Sequence, residues 1–323
     1  PGFTRNPYAT NRVPAGSSGG TGAAVAASFG VVGLGTDTGN SIRGPSSHNA
    51  LVGIRSTIGL TSRDGIVPLA FSHDIGGPMA RTVADAVAVF DVLAGTDPAD
   101  PTTVEADSRR AADYNQFLDA NALVAARIGV VRQIVDRESG DPRMRDLLNG
   151  ALDDLRAAGA QIVDPVSIPM LDETVQFSCR RFRYDINAYL ATLGPEAPVK
   201  TLTEIVESGG YDRTVRDRIR RGLEESLEDP EIRCAEQTDN RRLLAQQVTG
   251  VLADEQLDAL VYPTWANVPR LIGDLRSPGG DNSQVLSPQT GFPAITVPMG
   301  WIEEGGQQLP GGLQIFGDAW SEP

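Results

Sequence analysis

Three observations predict an α/β fold in which helices cover the faces of a β-sheet and a long helical stretch is inserted. Strand-like and helix-like runs alternate between residues 128 and 166, the β-α-β order of a sheet that carries helices on its faces. A charged, helix-forming stretch from about 203 to 255 then separates two sheet-forming blocks. The chain has 323 residues, 40% hydrophobic and 22% charged, which supplies a full core and excludes disorder and coiled coil.

The first 50 residues are dense in Gly and Ser, with a helix predicted over Ala23–Ala27 and a strand over Phe29–Leu34. Both runs are almost wholly apolar, so both are expected to be covered on two sides. Val83–Leu93 repeats apolar residues at helical spacing, with Thr82 placed to cap its start and Gly95 its end. Asp97–Asp107 is polar and interrupted by Pro, and reads as a surface connection. Beyond it come a strand at Ile128–Val131, an amphipathic helix at Met144–Ala158 and a strand at Gln161–Val166. Asp229-Pro230 forms an N-cap and first-position pair within the charged helical stretch. Strands resume at Leu257–Val261, Ala294–Val297 and Leu313–Phe316. No internal repeat or low-complexity tract is visible.

Charge and composition narrow the partners. The formal net charge is -14 and the isoelectric point near 4.6, the opposite of the basic face that nucleic acid or an anionic membrane surface requires. The 28 basic residues are 27 Arg and one Lys, Lys200. Arg213, Arg216, Arg218, Arg220 and Arg221 are interleaved with acidic residues and read as a solvated helix face with i,i+4 pairs. Cys179 and Cys234 stand far apart in sequence, outside any CxxC spacing, so no disulfide framework or zinc cage is expected, as befits a reducing, cytoplasmic setting. Two histidines without an HExxH pattern leave too few ligands for metal catalysis, and no cofactor is expected. No 18-residue apolar run is present.

Two Gly-rich loops could carry chemistry. Gly16-Ser17-Ser18-Gly19-Gly20-Thr21-Gly22 lacks the Lys of a phosphate-binding P-loop. Gly33-Leu34-Gly35-Thr36-Asp37-Thr38-Gly39 places its third Gly one position late for a dinucleotide turn. Read together, the loops offer hydroxyls free of side-chain crowding at Ser17, Ser18 and Ser41. A serine nucleophile needs a base and backbone N–H donors for the oxyanion, and Thr38, Gly39 and Asn40 could present those donors in a tight turn. A Ser-His-Asp arrangement using His73 or His48 with Asp74 has weak support, because no GxSxG surrounds Ser41.

The pair Gly16-Ser17-Ser18-Gly19-Gly20 and Gly35-Thr36-Asp37-Thr38-Gly39-Asn40-Ser41-Ile42-Arg43 resembles the signature of the amidase signature family. The likeness continues through Asp74-Ile75-Gly76-Gly77-Pro78-Met79-Ala80-Arg81-Thr82 and returns in Tyr262-Pro263-Thr264, Gly291-Phe292-Pro293-Ala294 and Pro310-Gly311-Gly312-Leu313-Gln314. It is strong over about the first hundred residues and the last seventy, and loose between about 100 and 255. The resemblance implies one domain over 1–323: a central twisted mixed sheet covered by helices on both faces, its core in 1–100 and 255–323. The helix-rich segment from about 100 to 255 would then serve as substrate segment or lid, with Phe177, Phe182, Tyr184, Tyr189 and Tyr211 lining a pocket or packing in the core.

The resemblance also implies a Ser–cis-Ser–Lys mechanism. Ser41 would be the nucleophile and Ser17, on a cis peptide bond, the proton relay. The N–H groups of Thr38, Gly39, Asn40 and Ser41 would form the oxyanion hole, with Ser18, Asp37 and Arg43 supporting the loop from behind. Asn40 replaces the family's usual Gly and narrows the site. The family's lysine lies some tens of residues before the first loop, yet only sixteen residues precede Ser17, and Lys200 has none of the base's context. The chain is therefore expected to be an internal piece of a longer amidase. The implied activity is hydrolysis of a small or medium carboxamide, with esters and carbamates as side substrates and a homodimer admissible. The alternatives are the A component of an amidotransferase, which makes ammonia from glutamine, and a non-catalytic amide-binding protein.

Overall fold

The computed structural model describes residues 3–169, 171 and 179–322. Eight strands form one mixed sheet: β1 (Val32–Asp37), β2 (Val52–Arg55), β3 (Ile75–Ala80), β4 (Arg127–Val131), β5 (Gln161–Val166), β6 (Ala259–Pro263), β7 (Ala294–Glu304) and β8 (Gln307–Phe316), in the order β1-β3-β2-β7-β8-β6-β4-β5. The β1-to-β6 side is antiparallel, while β4 runs parallel to both β5 and β6. All five predicted strands after residue 120 are found, and β5 matches its predicted bounds.

Strand alternation sets helices on both faces. Val52, Ile54 and Ala80 point into a core cluster with Phe90 of α3 (Val83–Leu93). The residues between them face the other way. On that side Ile75 and Met79 pack with Ile42 and with Val25 of α1 (Gly19–Ala26), and Gly53 backs onto Ser46 of α2 (Arg43–His48). Thr82 caps α3 by accepting from the Asp85 N–H, as its position predicts. The C-cap is Ala94, and Gly95 follows it with φ +152°. The largest cluster joins β4, β6 and β8 to α4 (Pro142–Ala157), through Leu148 and Leu152.

Gly77 shows how closely β3 approaches β2. A Cβ there would collide with the Ile54 carbonyl oxygen, a backbone atom that moves only if the sheet opens. Gly77→Ala is expected to lower unfolding free energy by about 2 kcal/mol, read from the urea midpoint. Gly150→Ala, in α4 with open space around it, should be neutral or slightly stabilising; equal midpoints for the two variants would refute the close-approach argument.

Not every expectation holds. The first strand starts at Val32, and its neighbourhood is not covered on two sides: Phe29, Val31 and Leu34 are 88%, 65% and 56% exposed, because β1 is an edge strand. Asp97–Asp107 runs over the surface as expected, and it is anchored there because Arg63 binds both carboxylate oxygens of buried Asp100 at 2.8 Å. The segment from 100 to 255 supplies β4 and β5, the strands expected at 128–131 and 161–166, and after them carries the helices α5 (Phe182–Thr192), α6 (Leu202–Ser208), α7 (Arg216–Gly222) and α8 (Ala235–Asp254).

Cys179 and Cys234 form a disulfide, a further correction, with Cα atoms 5.8 Å apart across 55 residues of sequence. The chain doubles back between α5 and the start of α8, so sequence distance was no barrier, and the separation is that of ordinary disulfides. The pairing removes the support that unpaired cysteines gave to a reducing, cytoplasmic setting. Among the described residues no helix is long and apolar enough to cross a membrane. None of the ion pairs among the described residues involves the Arg213–Arg221 cluster. Phe182 and Tyr189 pack in a satellite core with Ile186, Leu190 and Leu202, and Phe177 lies outside the described residues.

Candidate active site

The two serine loops meet. The first ends in α1, and the second joins β1 to α2. Ser18 donates its N–H to the Ser41 carbonyl at 3.2 Å. Its hydroxyl accepts from the Thr36 N–H at 3.2 Å and donates to the Thr36 carbonyl at 3.3 Å. Gly35 is what allows this: a Cβ there would sit 2.8 Å from Ser18 Oγ and 3.0 Å from Ile42. The Gly16–Ser17 peptide is cis, as the resemblance implies, and Ser17 itself is exposed.

Asp37, fully buried, organises the second loop. Its carboxylate accepts from the N–H groups of Ile42 and Arg43 at 3.1 and 3.3 Å, and from the guanidinium groups of Arg43 and Arg55. Burial alone would raise its pKa, but the adjacent Arg43 and Arg55 charges outweigh it and hold the carboxyl at about 2. Arg43 also donates to the Gly39 carbonyl at 2.7 Å, to the Ser283 carbonyl at 2.8 Å and to Gln314 at 3.0 Å. Gln314 in turn donates to the Tyr262 hydroxyl at 2.6 Å.

These bonds orient the loop's peptide planes. The carbonyls of Asp37 and Gly39 are drawn toward Arg55 and Arg43. In a trans peptide the N–H points opposite to its C=O, so the Thr38 and Asn40 N–H groups face away from the guanidinium groups. Thr38 is fixed further by donating its hydroxyl to Asp74, whose other oxygen accepts from the N–H groups of Leu69 and Ala70. Ser41, 8% exposed, has its hydroxyl 3.4 Å from Asn40 Oδ1. The Gln284 side chain lies over Gly39, where a Cβ would be 3.2 Å from its Oε1.

The structure thus brings Ser18, Asp37, Thr38, Gly39, Asn40, Ser41 and Arg43 into one loop system with Ser17 adjoining it. Neither histidine hydrogen bonds Ser41. His48 is buried and packs on Trp265 with ring centroids 4.6 Å apart, and burial pushes its pKa down to about 3. His73 pairs with the Ser72 hydroxyl at 2.7 Å and is lowered to about 2 by burial, with Arg241, Arg55 and Arg181 adding to the effect. Lys200 donates to the carbonyls of Gly194 and Pro195, ahead of α6. Among the described residues no group of three or more His, Cys, Asp or Glu could hold a metal ion.

Sequence reasoning missed Arg55, Thr38's partner role with Asp74, and Gln284. Arg55 carried a signal, a lone cation in the apolar strand Leu51-Val52-Gly53-Ile54-Arg55. Gln284 carried none.

The family model described as Amidase matches residues 1–323. The A component of glutamyl-tRNA(Gln) amidotransferase from Acidobacterium capsulatum is 37% identical over 339 residues, covering 99% of this chain and 68% of the relative. The Synechococcus protein of the same name is 34% identical over 100% of this chain and 67% of its own. Among solved structures, native peptide amidase from Stenotrophomonas maltophilia has a TM-score of 0.82 at 36% identity, covering 98% of this chain and 65% of that one. The A component of the Thermotoga maritima glutamyl-tRNA(Gln) amidotransferase has a TM-score of 0.73 at 29% identity, over 99% and 65%. The chain therefore spans about two thirds of the length of these relatives. Paired serine loops, a cis Gly16–Ser17 bond and a family match over the whole sequence make this chain a member of the amidase signature family.

Proposed function

We propose that the protein hydrolyses the C–N bond of a small or medium carboxamide through an acyl-enzyme on Ser41. The observation that carries this reading is the joined loop pair, in which Ser18 N–H binds the Ser41 carbonyl while buried arginines turn the Thr38 and Asn40 N–H groups away from themselves. Ser41 Oγ bonds to the amide carbon and gives up its proton by way of Ser17. The oxygen that becomes negative is held by the N–H groups of Thr38, Gly39, Asn40 and Ser41. The C–N bond then breaks, the amine leaves with the relayed proton, and water releases the acid. Esters and carbamates pass through the same tetrahedral oxyanion and serve as side substrates. The reading requires a lysine as base, and Lys200, bound to carbonyls of its own loop, does not supply it.

Treatment of the full-length protein with a sulfonyl fluoride or fluorophosphonate is expected to place one adduct on Ser41, found by peptide mass spectrometry. An unlabelled protein together with an active Ser41→Ala variant would overturn the mechanism. A second reading, the A component of an amidotransferase drawing ammonia from glutamine, is favoured by the 34–37% identity to proteins of that name. Glutaminase activity and co-purifying partner proteins would establish it over carboxamide hydrolysis.

A further inference from the structure

Away from the serine loops lies a polar cavity of about 500 Å³, walled by Ser72, the Cys179–Cys234 disulfide, Arg181, Arg241 and Arg242. Two of its three arginines are paired with a carboxylate: Arg181 with Asp185, Nη2 to Oδ1 at 2.8 Å, and Arg242 with Asp239 at 2.9 Å. Arg241 has no such partner among the described residues. Its guanidinium donates to three backbone carbonyls, those of Gln289 at 3.0 Å, Pro288 at 3.1 Å and Ser72 at 3.2 Å. Carbonyl dipoles orient the group without cancelling its charge. Burial and then the Arg181 charge lower its pKa to about 10, so it stays a cation at neutral pH. Glu231, also on the wall, is solvent-exposed and therefore screened.

The surroundings add to the positive character. Cys234, Thr238 and Arg241 follow one stripe at i, i+4 and i+7, and the positive end of the 20-residue helix α8 faces the same space. In a chain of net charge -14, this is a local reversal of sign.

We propose that this cavity binds a compact oxyanion, a carboxylate or an inorganic phosphate, between Arg241 and Arg181, and that the Cys179–Cys234 bridge holds the two arginines at the required separation. Cys179 stands two residues before Arg181, and Cys234 seven before Arg241. The bridge thereby clamps the segment carrying one guanidinium to the helix carrying the other. Arg guanidinium suits a planar or tetrahedral oxyanion because it donates in a fixed fork.

The test is calorimetric titration of the full-length protein with sodium acetate, succinate and phosphate at constant ionic strength and neutral pH. One-to-one saturable binding is expected for at least one of them. Binding of the carboxylates alone identifies a carboxylate-bearing ligand, and binding of phosphate alone a phosphate site. Ser41→Ala should bind unchanged, which separates this site from the acyl-enzyme reading. Arg241→Gln and the Cys179→Ser/Cys234→Ser pair should each weaken binding by about tenfold or more. No saturable binding by the wild-type protein up to about 50 mM of any of the three overturns the site, without recourse to a variant that fails to fold. Equal affinity in a folded Arg241→Gln protein overturns it too. Equal affinity after reduction of the bridge overturns the clamp.

Discussion

Asp37→Asn is expected to lower the unfolding free energy by about 3–5 kcal/mol, the usual consequence of removing one partner from a buried ion pair. The reason is geometric. Arg43 and Arg55 are both fully buried, and the Asp37 carboxylate is the anion within 3.1 Å of each. An asparagine amide would leave two guanidinium charges in the interior and place an NH2 group against donors. Loss of the charge also frees the start of α2, which Asp37 caps through the Ile42 and Arg43 N–H groups, so reaction at Ser41 should weaken in the same variant. The checks are the guanidinium chloride midpoint and the rate of fluorophosphonate labelling. A variant within about 1 kcal/mol of the parent would contradict the network.

The same group sets an acid limit. The folded pKa of Asp37, about 2, lies below its ordinary value of 3.8. A depressed carboxyl contributes stability that is present above the unfolded pKa and is lost as pH falls through the folded one. The window runs from about pH 4 down to about pH 2, and the contribution is about 2 kcal/mol. Stability measured through that interval should fall in the parent and much less in Asp37→Asn.

Ser41→Ala should have the largest effect on turnover, about three orders of magnitude or more, equivalent to about 4 kcal/mol of barrier. Ser17→Ala should give a comparable loss if Ser17 relays the proton, and the two losses should not add, because residues acting in one step are not independent. The folded state should be nearly untouched by Ser17→Ala, since its side chain is exposed. Steady-state hydrolysis of a chromogenic anilide, alongside thermal unfolding, checks both. A Ser17→Ala enzyme with full turnover would leave Ser41 without its proposed relay.

Local pattern carried most of the fold. The Thr82 cap, the Asp229-Pro230 helix start, the strand at 161–166 and the segments 294–297 and 313–316 of β7 and β8 follow from residue spacing and capping chemistry. Several things were not legible because they depend on what lies beside a segment. Phe29–Leu34 has the composition of a buried strand, and only sheet order makes β1 an edge. Cys179 and Cys234 meet because helices fold back, which no spacing rule encodes. At the site, backbone N–H groups and glycines were readable from the loop motif. Long side chains arriving from elsewhere, Arg55 from β2 and Gln284 from a turn before β7, were not.

The exposed edge of β1 has a consequence for handling the protein. The Ser18 and Thr21 hydroxyls hold the Thr36 N–H and the Thr36 and Leu34 carbonyls along it, but the exposed side chains of Phe29, Val31 and Leu34 leave an apolar patch there that another copy can cover. At neutral pH, mutual repulsion between chains of charge -14 opposes that encounter. The repulsion vanishes near the isoelectric point of about 4.6, above the pH at which Asp37 takes up its proton. Colloidal failure should therefore come before conformational failure on acidification, and an activity profile taken without light scattering would record precipitation as titration.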